Sequence, residues 1–70
     1  MTELRNYGRI GDFDVYYNSI NRRMICERKT DLATALFEYP SCAVVHNWGV
    51  NKLELSQLQR RLRNRTRTEL

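Results

Sequence analysis

From Asp12 to Tyr17 the side chains alternate, with Phe13, Val15 and Tyr17 on one face and Asp12, Asp14 and Tyr16 on the other. A period of two carried by aromatic and β-branched residues is a strand pattern. Asn18-Ser19-Ile20-Asn21 follows, and Asn and Ser bond their own backbone and so favour a turn. Arg23 to Arg28 resumes the alternation, with Met24 and Cys26 on one face and Ile25 on the other. The sequence therefore predicts an antiparallel hairpin with a four-residue loop. Everything else in the chain must be built around it.

The remaining segments are read with the same periodicities. Thr30 or Asp31 can cap a helix running to about Tyr39, where Pro40 forbids continuation. Leu32, Ala33, Leu36 and Phe37 fall at helical spacing and would cover a sheet. Cys42 to His46 is short, apolar and β-branched, which predicts a buried central strand, with Asn47-Trp48-Gly49 turning out of it. Val50 to Leu55 suits strand or helix. Strand is favoured, because Ser56-Gln57-Leu58-Gln59 resembles a capping box opening a last helix with Leu58 and Leu62 one turn apart. No internal repeat is visible. The expected fold is α+β, a small antiparallel or mixed sheet in the order β-β-α-β-β-α. Residues 1–64 form one domain with a basic C-terminal helix, and residues 65–70 a basic tail expected to fray.

Seventy residues allow one thin core and no deep cleft. The longest apolar run, Cys42 to Val45, is far short of the about 20 residues a membrane span needs. The first residues lack the apolar stretch of a secretory signal, which points to the cytoplasm, where thiols stay reduced. Cys26 and Cys42 are then expected to be small buried hydrophobes. With His46 they make too few ligands, at the wrong spacing, for zinc. Cys42 and His46 would also sit roughly 13 Å apart along a strand, too far for a thiol–imidazole pair. Asp12 and Asp14 lie on a polar strand face with no base or nucleophile beside them. No catalytic residue, metal or cofactor is expected, and the chain is not read as an enzyme.

The charge is unevenly placed. Twelve Lys and Arg against eight Asp and Glu leave +4, and all of that excess falls after residue 59. Arg60, Arg61, Arg63, Arg65 and Arg67 crowd into eight positions, and ten of the twelve cations are Arg. The planar guanidinium pairs with phosphate and carboxylate as a fork, so these five are the candidate contacts to a polyanion, either a nucleic-acid backbone such as RNA or an acidic protein groove. Gly8-Arg9-Ile10-Gly11 has the spacing of a nucleotide-clamping KH loop, but no flanking helices are readable, and a flexible lead-in to the first strand fits it better. Tyr7, Tyr16, Tyr39 and Trp48 are interleaved with Arg9, Arg22 and Arg23. Of these, Tyr7, Arg9, Tyr16, Arg22, Arg23 and Trp48 are the candidate anchors for a protein partner, since Trp, Tyr and Arg dominate interface energies. A monomer is expected, with no membrane partner.

Taken with the short length and the arginine-rich end, Gly11-Asp12-Phe13-Asp14-Val15-Tyr16-Tyr17 and Leu58-Gln59-Arg60-Arg61-Leu62-Arg63 resemble a group of small phage proteins. These are the RNA-polymerase-binding antitermination regulators of lytic Xanthomonas bacteriophages. The resemblance implies binding to host polymerase near the N-terminus of its largest subunit. It also implies inhibition of initiation by sigma-factor displacement, and read-through of intrinsic terminators. It assigns no residue roles. The alternatives are a nucleic-acid-binding module acting through the arginines alone, and an inhibitor of another host complex such as an anti-CRISPR protein.

Overall fold

The computed structural model describes residues 4–69. Five strands, β1 (Leu4–Ile10), β2 (Phe13–Asn18), β3 (Arg23–Arg28), β4 (Ala33–Glu38) and β5 (Val44–Trp48), precede one helix, α1 (Lys52–Glu69). The strands pair antiparallel in chain order, β1-β2-β3-β4-β5, as an up-and-down meander. The fold is thus α+β and small, but the order β-β-α-β-β-α is replaced by five strands and a helix.

The β2–β3 hairpin forms where the alternation places it, with Val15 opposite Cys26 and Tyr17 opposite Met24. Three other segments depart from expectation. Residues 31–39 hold strand β4 rather than a helix. Leu32, Ala33, Leu36 and Phe37 satisfy a helical period, but Ala33, Ala35 and Phe37 equally satisfy a period of two, and those three are the buried ones. Pairing with β3 from Arg28↔Ala33 to Arg23↔Glu38 settles the competition, because a strand there gains a full ladder on an existing edge. Asp31, read as a helix cap, instead accepts a hydrogen bond from the Ala33 amide at 3.2 Å and closes the loop. Strand β5 is an edge, not the centre, and Cys42 lies in the loop before it. Trp48 is the last residue of β5, and the bend out follows at Gly49. Residues 50–55 are not a strand: Asn51 is the N-cap of α1, accepting from the Glu54 amide at 2.9 Å while its own amide donates to Glu54 Oε1. The segment Gly8-Arg9-Ile10-Gly11, read as a lead-in, is the end of β1 and the first residue of a two-residue turn at Gly11 (φ 58°).

A structural period that the residue types conceal organises the meander. Strands β2, β3 and β4 begin at residues 13, 23 and 33, each six residues long. Every following loop places a short polar acceptor ninth and a left-handed residue tenth. Asn21, Asp31 and Ser41 bond the amides of Arg23, Ala33 and Ala43, and Arg22, Leu32 and Cys42 have φ near 60°.

Helix α1 covers one face of the sheet. Leu58 and Leu62 enter the core with Ile10, Phe13, Val15, Met24, Cys26, Ala35 and Phe37. Burying one such leucine is worth about 1.5–3 kcal/mol. Polar fastenings run along the helix. Arg28 pairs with both Glu54 and Asp31 and lies over the Phe13 ring. Gln59 Nε2 donates to the Cys42 carbonyl at 2.7 Å, and Thr66, 2% exposed, meets Cys42 Sγ at 3.7 Å. Helical order therefore runs to Glu69, through the described part of the segment expected to fray.

Candidate functional site

The two faces of the sheet present different chemistry. On the covered side, α1 sorts its arginines. With 3.6 residues per turn, Arg60, Arg63 and Arg67 fall within an arc of about 60° on the outer surface of the helix. Together with Ser56, Gln59 and Asn64 they line an open trough of ≈ 500 Å³. None of the three pairs with a carboxylate among the described residues; Arg67 donates to Asn64 Oδ1 at 2.8 Å. Arg61 and Arg65 occupy the opposite flank. The Arg65 guanidinium sits 4.5 Å from the centre of the Tyr7 ring and fills the space a side chain at residue 8 would take. Arg61 leans over the β1–β2 turn, lining a small recess with Asp12, Phe13 and Glu54. The five residues that the sequence groups as one cluster are thus two groups.

No element covers the other side of the sheet among the described residues. An antiparallel sheet with one wet face ordinarily carries polar residues there. Here a line of neighbours across four strands reads Tyr16, Ile25, Leu36 and His46. Trp48 extends it: its ring is 3.9 Å from that of His46, and it remains 51% exposed. Charged pairs border the line, Arg9 with Asp14 and Lys29 with Asp14 at one end, Arg23 with Glu38 at the other. Arg23 Nε is buried with no hydrogen bond among the described residues.

Of the anchors read from sequence, Arg9, Tyr16, Arg23 and Trp48 share this uncovered face. Arg22 is an exposed turn residue beside it. Tyr7 is not among them; a bulge between Asn6 and Gly8 turns it to the helix side, under Arg65. Tyr39 packs on the core and against Tyr17 at 5.0 Å between ring centres. The residues that sequence reasoning missed are Ile25, Leu36 and His46. Their signal was the alternation itself, which puts apolar residues on the second face of β3 and β4 as well as on the first.

Both cysteines are buried thiols, and desolvation pushes Cys26 up to about 12, far from a reactive thiolate at neutral pH. Among the described residues no group of three His, Cys, Asp or Glu side chains is placed to hold a metal ion, and no helix is long and apolar enough to cross a membrane. Comparison with protein families, curated proteins and solved structures gives no match. Any functional reading rests on the two surfaces.

Proposed function

We propose that the protein is a non-catalytic regulator that docks on bacterial RNA polymerase through the uncovered sheet face. In this reading it presents the arginine row of α1 to nucleic acid of the transcription complex. The observation that carries this is the separation of the two surfaces on opposite sides of one sheet. The aromatic and aliphatic line is suited to desolvation against a protein, and the arginine row pairs with no carboxylate among the described residues. The resemblance noted above makes polymerase the partner and the cytoplasm of a bacterial host the place. Displacement of the principal sigma factor and read-through of intrinsic terminators are then the activities. A module acting through its arginines alone would leave the Tyr16–Ile25–Leu36–His46 line without a role.

Calorimetric titration of bacterial core polymerase, paired with terminator read-through in a purified reaction, tests the reading. Tyr16→Ala and Trp48→Ala each remove a large exposed-face side chain without entering the core, and each should weaken polymerase binding tenfold or more, about 1.4 kcal/mol. The combined Arg60→Gln, Arg63→Gln and Arg67→Gln variant should bind within about twofold of wild type yet read through less. Absence of polymerase binding by the native chain, or loss of binding in the arginine variant alone, contradicts it.

A further inference from the structure

We infer that Arg60, Arg63 and Arg67 form a seat for the phosphate backbone of a nucleic-acid double helix, read without regard to sequence, and that Arg61 and Arg65 take no part in it. This rests on the reading of α1 as the nucleic-acid surface and names the ligand of that surface. Three observations carry it.

The first is the sorting. Arg65 lies over the Tyr7 ring, and Arg61 is on the same flank, lining the recess at the β1–β2 turn with Asp12 and Glu54. The three remaining arginines stand along about 10 Å of helix, at 1.5 Å per residue. Ser56 and Asn64 line the trough beside them, both able to donate to phosphate or sugar oxygens, while Gln59, at its edge, is held by the Cys42 carbonyl.

The second is the depth of the helix in its own fold. Leu58, Leu62 and Thr66 are buried over half the length of α1. With the sheet fixed to one side, α1 offers only its outer face, and the guanidinium forks exposed along that face match phosphate oxygens, contacts that carry no sequence information.

The third is that no stacking platform accompanies the row among the described residues. Binders of single strands pair a basic groove with aromatic rings that stack on bases. Here Tyr7 is capped by Arg65, and Tyr16 and Trp48 are on the far face of the sheet. Only phosphate chemistry is left, and it favours the ligand with the densest phosphates, a duplex.

The test is fluorescence anisotropy with a labelled DNA duplex of about 20 base pairs between about 50 and 200 mM salt. Three phosphate contacts predict a slope of log K against log salt of about −2.7, against about −4.5 for five. Duplexes of unrelated sequence should bind alike, and a single strand of equal length more weakly. Replacing Arg60, Arg63 and Arg67 together with Gln should cost at least tenfold, with the melting temperature unchanged because all three are exposed. Replacing Arg61 and Arg65 should leave the slope as it is. A slope near −4.5, tighter binding of the single strand, dependence on base sequence, or equal competition by polyglutamate would each overturn the inference. Its failure alongside intact polymerase capture leaves the docking reading standing. Loss of capture with the −2.7 slope intact has the opposite meaning.

Discussion

Leu32 and Gly8 show how differently single residues are held in this chain. Leu32 is 69% exposed and sits at φ 62°, a left-handed conformation that costs an L-residue about 1–2 kcal/mol. Leu32→Gly removes that strain at an entropic cost of about 0.5–1 kcal/mol, so the variant should melt a few degrees higher. Gly8 is the reverse case. At φ 112°, a Cβ there would stand 2.6 Å from the Arg65 guanidinium, so Gly8→Ala should lower the melting temperature and drive Arg65 off the Tyr7 ring. A scan of the two variants checks both signs. Asp31 adds a pH dependence. Its hydrogen bonds from Arg28 hold its carboxyl down at about 2, below its ordinary 3.8. A depressed carboxylate stabilises the fold fully above its unfolded value, and that contribution is lost as pH falls through the folded one. The melting difference between wild type and Asp31→Asn should therefore be constant above about pH 4 and vanish towards pH 2. A difference that persists at pH 2 would show that the Arg28 pairing is not its source.

At the level of elements, what could be read from residues depended on whether one period was unopposed. Asp12 to Tyr17 has no helical alternative, and β2 and β3 form where the alternation puts them. Residues 31–39 carry both periods, and only the pairing with β3 decides, a contact that no local window contains. The N-terminus of α1 failed for a different reason. Two capping patterns stand five residues apart, Asn51 with Glu54 and Ser56 with Gln59, and the first is used because Glu54 also reaches Arg28 from the neighbouring sheet. The two are separable by experiment. Asn51→Ala should cost about 1 kcal/mol in denaturant unfolding, and Ser56→Ala, at an exposed position inside the helix, close to nothing. A large effect at Ser56 would mean that the helix starts where the sequence pattern suggested. The candidate site was half legible on the same logic. The arginines stand out by density, but their division into an outer row and an inward flank depends on which side of α1 meets the sheet.

For the molecule as a whole, the structure replaces a neutral domain with a cationic tail by a two-layer body with opposed surfaces. Removal of residues 65–70 is the sharpest contrast between those pictures. A frayed tail could be cut with little loss, whereas here the cut takes away Thr66, buried against Cys42, and the Arg65 cover on Tyr7. Truncation after Asn64 should cost about 1–3 kcal/mol and open the Cys42 thiol to alkylation, with Cys26 still protected in the core on β3 between Val15 and Ala35. Unchanged stability and an unreactive Cys42 would restore the tail. The most direct test of the opposed surfaces is transferred cross-saturation from unlabelled bacterial core polymerase to the deuterated, ¹⁵N-labelled chain. Signal loss should concentrate at the amides of Tyr16, Ile25, Leu36, His46 and Trp48 and spare those of Arg60, Arg63 and Arg67. Loss centred on the helix, or spread evenly over both faces, would contradict the assignment of the sheet face to the protein partner.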